Sequence, residues 1–408
     1  MKSIFTFILT VLMMIQSTLH AQTGATSKQN AIRHAAFVLA ETMKNNDAKK
    51  VVLAGIQSGY YVDESILFRD LFNPGSSPAF RNNSFLGGVS PAAFANTFRS
   101  VLLSGQYPQS AQYPSKSGLE AFLVSSKAQI YFPYSDNFNL NGSINPAITF
   151  DPMSAELESN GGWKYLEGRF VDVQIDEPYA QVNPTLITNY YEGNPDQPAI
   201  GTLEPGGEPD LDVQIAGGDD ACSQPPHRMA VYIEDLRFES QWDNFFAGGP
   251  DFYFCRGELV YNGDGTQISG APNSVMVKLK RSHIKKWRNV NLLWDTRWEF
   301  VNDIFEENNQ QFALYEDDES SNLSTSFTGS VGGTVKLPKL GDVSYTVNPT
   351  VTHNTTSDDD VIMNTQFDRC WFINSNTTDQ GLGIRNNKAI RGVGGGMGVT
   401  FTMRINPY

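Results

Sequence analysis

The sequence predicts a mainly β protein with an N-terminal helical unit and a C-terminal antiparallel β-sandwich. Its 408 residues include 35 glycines, 21 prolines and 12% aromatic residues, a composition that favours short strands joined by turns. Helical periodicity is confined to residues 27–105, and period-two alternation dominates from about residue 116. The length and the 40% hydrophobic fraction allow two or three domains with cores of their own.

The N-terminus has the pattern of a secretory signal peptide. Lys2 precedes an apolar run from Ile4 to Ile15, and Ala21 stands before a polar segment, as at a cleavage site. No other apolar run has membrane-spanning length. We therefore expect residues 1–21 to be removed, and the mature chain to be secreted or extracytoplasmic, in the periplasm or at the cell surface.

Cysteine usage and charge narrow the class of protein further. Cys222, Cys255 and Cys370 are too few for a disulfide framework and lack metal-ligand spacing; Cys222 and Cys255 are either one disulfide or two buried thiols. Together with the signal, this indicates a bacterial protein. The 44 acidic against 30 basic side chains give a net charge of −14, which excludes nucleic acid as a partner and suits a protein that handles cations.

Residues 22–115 are predicted to form the helical unit. The first helix follows a candidate cap at Ser27, and a second runs from Asp47 to near Gly59. The segment "SPAAFANTFRSVLLSG" has Ser90 as a cap, Pro91 at the first helical position and a glycine at its end, which are helix start and stop signals.

The remaining chain is predicted to be β. Residues 116–192 contain the β-like runs "GLEAFLVSS", "AQIYFPY", "PAITFD", "RFVDVQID" and "PTLITNYY", separated by turn residues. Residues 193–228 are rich in Gly, Pro and Asp, as in a linker or a long surface loop. A new domain is expected over residues 229–408.

Acidic side chains recur at the predicted strand ends of this last domain. They occur in "WDNFFAGGPDFYF", in "LYEDDESS" and in "TSDDDVIM". Ca2+ takes six to eight oxygen ligands, so a site needs carboxylates that converge from adjustable loops. If the three loops meet, the predicted ligands are Asp243, Asp251, Glu316, Asp318, Asp359 and Asp360; otherwise these are solvated turns.

The order of these motifs resembles the C2 domain, a β-sandwich that binds Ca2+ in its rim loops. An aspartate, a glycine turn and an aspartate before an aromatic strand resemble the family's first loop, and "KKWRNVNLLWDTRWEF" is similar to its central strand. The resemblance implies that Trp294, Trp298 and Phe300 are core residues and that Ca2+ is the cofactor. It covers residues 229–408.

The third loop of the resemblance is split by about forty residues. They contain "GSVGGTVKLPKLGDVSYTVNPTV", which alternates on both sides of a Gly-Asp turn and predicts an inserted hairpin around residues 328–352. An alternative register with a compact loop places the later ligands at Ser320, Ser321 or Asn322.

A basic run precedes the central strand and is a candidate face for an anionic ligand. Such a face suits a membrane surface or a polysaccharide, and the alternative is a plain solvated strand face. Its residues are Lys278, Lys280, Arg281, Lys285, Lys286 and Arg288.

Three functions are compatible with these patterns. The leading hypothesis is a secreted or surface-associated binding protein with a Ca2+ site in the rim loops. No catalytic motif is found, because the histidines are scattered and no nucleophile elbow occurs. The alternatives are an exported hydrolase with its site in residues 30–200 and the C2-like domain as an accessory module, or a structural or adhesive surface protein.

Overall fold

The computed structural model divides the chain into two compact units. Unit 1 comprises Met1–Gln197 and Asn244–Gly249, and unit 2 comprises Pro198–Asp243 and Pro250–Tyr408. The structure describes residues 28–61, 64–81, 83–109, 118–141, 143–153, 157–191, 204–205, 228–240, 244–257, 259–261, 267–270, 273–299, 309–316, 325–328, 331–337, 341–347, 350–353, 360–368, 390–396 and 399–407. The predicted signal peptide, Cys222 and Cys370 lie outside these residues. Among the helices of the described part, none is both long and apolar enough to span a bilayer.

Among the described residues, six α-helices belong to unit 1. They are α1 (28–42), α2 (Asn46–Gln57), α3 (Phe68–Phe72), α4 (Ala93–Ser104), α5 (Leu119–Ser125) and α6 (Glu177–Val182). The Asn45 side chain accepts hydrogen bonds from the first turn of α2, which satisfies amides that have no partner inside the helix. Helix α4 ends at Gly105, whose φ of 68° is the left-handed conformation that glycine adopts without strain. It begins at Ala93 rather than at the predicted Pro91.

One six-stranded sheet completes unit 1, in the order β1-β2-β6-β3-β4-β5. Its strands are β1 (Ser65–Leu67), β2 (Ala128–Tyr131), β3 (Ala147–Phe150), β4 (Ser159–Leu166), β5 (Arg169–Asp176) and β6 (Thr185–Tyr190). Neighbours are antiparallel except β3 and β6, which are parallel. Residues 185–189 of β6 are all buried, so this strand lies inside the unit on both faces.

Two apolar clusters cover the sheet. The larger one packs the helices on strand residues, with the rings of Phe37 and Trp163 4.1 Å apart. The smaller one joins Tyr131 and Ile187 to Phe245 and Phe246. Residues Asn244–Gly249, far away in sequence, are therefore part of the core of unit 1.

The structure joins the predicted helical unit and the predicted β-rich region in one compact unit. Strand β1 lies among the helices in sequence but pairs with β2, from Ser65↔Tyr131 to Leu67↔Gln129. The prediction of a strand in "GLEAFLVSS" is wrong, because residues 119–125 form helix α5. Leu119 and Leu123, four residues apart, are its buried residues, and this is helical spacing.

Unit 2 contains antiparallel sheets. A four-stranded sheet has the order β12-β9-β14-β19, and a five-stranded sheet has the order β20-β21-β8-β13-β7. Their bounds are β7 (Glu204–Pro205), β8 (Arg228–Phe238), β9 (Asp251–Gly257), β12 (Asn273–Lys278), β13 (Arg288–Glu299), β14 (Asn309–Glu316), β19 (Asp360–Asp368), β20 (Ile390–Gly396) and β21 (Val399–Pro407). Part of the predicted 193–228 linker is thus a strand, since β7 pairs with the start of β13.

The two sheets face each other where Phe238 of β8 stacks on Phe252 of β9, with ring centroids 3.7 Å apart. Three smaller pairs accompany them: β10 (Leu259–Tyr261) with β11 (Gln267–Gly270), β15 (Thr325–Thr328) with β18 (Thr350–His353), and β16 (Val331–Leu337) with β17 (Gly341–Val347). The last two pairs occupy the span of the predicted inserted hairpin. The described elements combine the predicted N-terminal helices with antiparallel sheets.

Adjacent glycines in β4 give a sharp test of this packing. A Cβ at Gly162 would lie 2.6 Å from the Ile148 carbonyl oxygen and 2.5 Å from Ile175 Cδ1, whereas a Cβ at Gly161 meets nothing within 4 Å. Gly162→Ala should lower the free energy of unfolding by about 1–3 kcal/mol, because backbone must shift. Gly161→Ala, its control, should be neutral or stabilising by up to about 1 kcal/mol. Urea unfolding of both variants measures the difference, and equal stabilities would contradict the predicted close packing.

Candidate functional site

The register of the four-stranded sheet brings three predicted metal ligands to one end of it. Asp251 is the first residue of β9, Glu316 the last of β14 and Asp360 the first of β19. Glu316 lies directly opposite Asp360 on one side and opposite Phe252 on the other. Directly opposite residues of antiparallel strands have Cα atoms about 4.5–5.5 Å apart, so two of the predicted acidic loops begin side by side.

Glu316 is fully buried, although it carries a carboxylate. Its neighbour across the strand pair, Phe252, is also fully buried and stacks on Phe238. Glu316 therefore occupies a position in the apolar interior of unit 2. A buried carboxylate requires a partner, either a hydrogen-bond donor, a positive charge or a metal ion.

The structure does not describe the other three predicted ligands. Asp318 and Asp359 belong to the segments that follow β14 and precede β19, and Asp243 precedes Asn244–Gly249; all three lie outside the described residues, as do Ser320, Ser321 and Asn322. Among the described residues, no group of three or more His, Cys, Asp or Glu side chains is arranged to hold a metal ion. The described part of the predicted site thus consists of three strand positions at one end of the sheet, and one of them, Glu316, carries a buried carboxylate.

The predicted basic face is a turn between two strands. Lys278 ends β12 directly opposite Asp251, and Arg288 begins β13. Lys285 and Lys286 are exposed and Lys280 is partly exposed, but Arg281 is only 2% exposed. Arg281 is therefore unavailable to a large external ligand. Its burial follows from a 3-10 turn at Arg281–His283, which breaks the strand alternation expected there.

The best-defined polar network lies in unit 1 and was not predicted. The Glu64 carboxylate accepts hydrogen bonds from Ser135 Oγ at 2.7 Å and from the Tyr134 backbone amide at 3.2 Å. The Tyr134 hydroxyl donates to Glu177 Oε1. Glu64 and Tyr134 both have positive φ, 63° and 60°, a conformation that costs energy for residues other than glycine.

This network has the chemistry of an activated nucleophile, because a serine hydroxyl donates to a carboxylate. Its accessibility argues otherwise: Glu64 is 2% and Ser135 5% exposed. The carboxylate instead satisfies the amide and hydroxyl at the start of the 3-10 turn Ser135–Asn137. We assign the network a structural role, that of fixing the chain after β2.

A second buried carboxylate, Asp70, is likewise paired. Tyr61 donates its hydroxyl to Asp70 Oδ2 at 2.5 Å. Burial, and then the hydrogen bond to Asp70, raise the pKa of Tyr61 far above its usual range, so this phenol stays protonated as a donor. His34 is bonded to the Tyr107 hydroxyl at 2.9 Å inside the helical layer. Neither pair has a pattern in the sequence that predicts it, since the partners lie apart in the chain.

Comparisons with known proteins do not assign the chain to a family. No protein-family model, no curated protein and no solved structure matches it. A functional proposal must therefore be argued from the residues and from the geometry of the described elements.

Substitutions of Glu64 test whether the polar network of unit 1 has a structural role. Glu64→Ala should lower the free energy of unfolding by about 1–3 kcal/mol, because the Tyr134 amide and the Ser135 hydroxyl lose their acceptor. Glu64→Gly should be less destabilising than Glu64→Ala, since glycine adopts the positive φ of 63° without strain. Urea unfolding compares the two. An alanine variant as stable as the glycine variant would show that the backbone at residue 64 is not strained.

Proposed function

We propose that the protein is a secreted or surface-associated binding protein whose unit 2 is a C2-like β-sandwich with a Ca2+ site at its acidic sheet end. The observation that carries the proposal is the pairing of Glu316 with Asp360. This register brings two acidic segments to one end of the sheet, as the oxygen ligands of a shared Ca2+ ion require. The signal-like N-terminus supports the extracytoplasmic location, where Ca2+ is available.

The donor chemistry of the predicted set fits Ca2+. All six predicted ligands, Asp243, Asp251, Glu316, Asp318, Asp359 and Asp360, are carboxylates, and Ca2+ prefers oxygen donors from adjustable segments. In the proposed site, Asp251, Glu316 and Asp360 would be the ligands carried by the sheet, and the other three would come from the segments before and after its strands. Bound Ca2+ would neutralise this acidic end and offer open coordination positions to an anionic partner.

The basic turn favours an anionic partner at the same place. Lys278 lies directly opposite Asp251 in the strand register, so the turn starts at the acidic end of the sheet. Its exposed members Lys285 and Lys286 attract acidic lipid headgroups or acidic polysaccharide chains by charge. The neighbouring apolar core holds the turn, because the Lys285 amide donates to the Phe238 carbonyl at 2.7 Å. The hydrolase and adhesive alternatives draw no specific support from the described residues.

Calcium titration of the full chain tests the metal site. Wild type should bind Ca2+ in preference to Mg2+ by calorimetry, because Mg2+ demands stricter octahedral geometry. Asp360→Asn should weaken Ca2+ binding by about tenfold or more, equivalent to roughly 1.4 kcal/mol. The matched control is Glu41→Gln in unit 1, where a partly exposed carboxylate pairs with Lys44 at 2.6 Å; it should leave the affinity unchanged. Absence of calcium heat in the folded wild-type protein would reject the site.

Vesicle binding tests the anionic partner. The full chain should bind vesicles of phosphatidylserine and phosphatidylcholine in Ca2+ and detach in chelator. Changing Lys285 and Lys286 to Glu should weaken this binding, and raising the salt concentration should weaken that of wild type, since exposed charges are screened. The matched control changes Lys49 and Lys50 of α2 in unit 1 to Glu. Vesicle binding that is unchanged both by the Lys285 and Lys286 substitutions and by the salt concentration would contradict a role for the basic turn.

A further inference from the structure

Two buried amide side chains lie side by side on the sheet of unit 1. Gln129 of β2 is directly opposite Asn189 of β6, and their exposed fractions are 1% and 0%. They share the sheet face of Tyr131 and Ile187, because residues two apart along a strand lie on one face. These last two belong to the apolar cluster that contains Phe245 and Phe246.

The hydrogen-bond donors of both amides are used, whereas the acceptors are not. Asn189 Nδ2 donates to the Phe246 carbonyl at 3.0 Å and also to the Ala247 carbonyl. Gln129 Nε2 donates to the Tyr190 carbonyl at 3.3 Å. Asn189 Oδ1 and Gln129 Oε1 are buried, and neither has a hydrogen-bond partner among the described residues. Buried acceptors without a partner are rare in folded proteins, and each asks for an explanation.

Gln129 and Asn189 form a row across neighbouring strands, and a carboxyl group, that of Asp151, comes next to Asn189 in this row. Asp151 directly follows β3, and its amide still donates to the Thr188 carbonyl at 2.9 Å, which sets it beside Asn189. Ala147, four residues earlier, belongs to the cluster on the same sheet face. The Asp151 side chain accepts one hydrogen bond, from the Met153 amide at 2.7 Å. Burial raises the pKa of Asp151, because the charged form loses its water.

The row therefore offers oxygen atoms from three neighbouring strands and at most one negative charge. Amide and carboxylate oxygens are acceptors for N–H groups and ligands for hard cations. A divalent ion prefers several carboxylates, and a water molecule can donate to both amide oxygens but then has no hydrogen left for Asp151. An ammonium ion has enough donors, and K+ is bound by carbonyl-type oxygens in the same way.

We propose that Gln129, Asn189 and Asp151 form a binding site for a small monovalent cation of ammonium or potassium size, beneath the segment Asn244–Gly249. The segment lies over the site, because the Phe246 and Ala247 carbonyls accept hydrogen bonds from Asn189 Nδ2; a compact ion is therefore the expected ligand. The ion ties β2, β6 and the end of β3 together and stabilises unit 1. The site is independent of the proposed Ca2+ site, which lies in unit 2.

The test is thermal unfolding of the full chain in different chloride salts at one ionic strength, with chelator present so that divalent cations do not contribute. The salts are potassium, ammonium, methylammonium and choline chloride. The midpoint in potassium or ammonium should exceed that in choline by about 2–4 °C, because an ion that binds only the folded state stabilises it. Stabilisation by ammonium alone identifies a site that needs N–H donors, and stabilisation by potassium as well identifies a site selected by ion size. Methylammonium, which is larger than both ions, should behave as choline does.

Leucine at position 129 removes the acceptor and keeps the approximate volume. Gln129→Leu should abolish the difference between salts, and Asp151→Asn should reduce it. The matched control is Gln174→Leu, an exposed residue of β5 in the same sheet, which should behave as wild type. If Gln129→Leu does not fold, side-chain amide NMR resonances of wild-type Gln129 and Asn189 should shift with the added salt. Identical midpoints in all salts, or a salt effect that persists in Gln129→Leu, would overturn the proposal.

Discussion

Unit 1 depends on the burial of strand β6 on both faces. Leu186 and Thr188 face the helical layer, where the Thr188 hydroxyl donates to the Ile32 carbonyl of α1 at 3.1 Å. Ile187 and Asn189 face the opposite cluster. Because alternate residues of one strand serve two layers, a shift of its register by one residue would exchange their contacts. Both the helices and the segment Asn244–Gly249 are thus positioned by the same six residues.

Elements whose signals are local could be predicted from the sequence. Strands β2, β3, β5 and β6 follow alternating runs bounded by turn residues, and α2 and α4 follow helical spacing with a glycine just beyond each helix. Helix α5 was predicted wrongly because a short apolar run fits either period. Strand β4 escaped prediction because it begins Ser-Asn-Gly-Gly, which reads as a turn. The structure accounts for this sequence at Gly162, where a neighbouring carbonyl leaves no room for a side chain.

The candidate sites also contain some features that the sequence could predict and others that it could not. The acidic clusters are visible in the sequence, and the sheet register adds that Glu316 and Asp360 are neighbours. Burial of Arg281 was not predictable, since a 3-10 turn changes which residues of a basic run face the interior. The contacts of Glu64 with Ser135 and of Asn189 with Phe246 join residues 71 and 57 positions apart. Sequence spacing does not relate residues that lie so far apart. The role of a single polar residue in an apolar strand therefore becomes clear only when its contacts in the fold are known.

Charge count distinguishes the two proposed cation sites. At the end of the four-stranded sheet, all the proposed ligands are carboxylates, a set that suits a divalent ion. In the row on β2, β6 and β3, two neutral amides accompany one carboxyl, and a divalent ion would bring an uncompensated charge into an apolar cluster, which is costly. The second site therefore follows from buried acceptors rather than from acidity. Its two amide oxygens carry no charge, so the charge pattern of the sequence does not indicate the site.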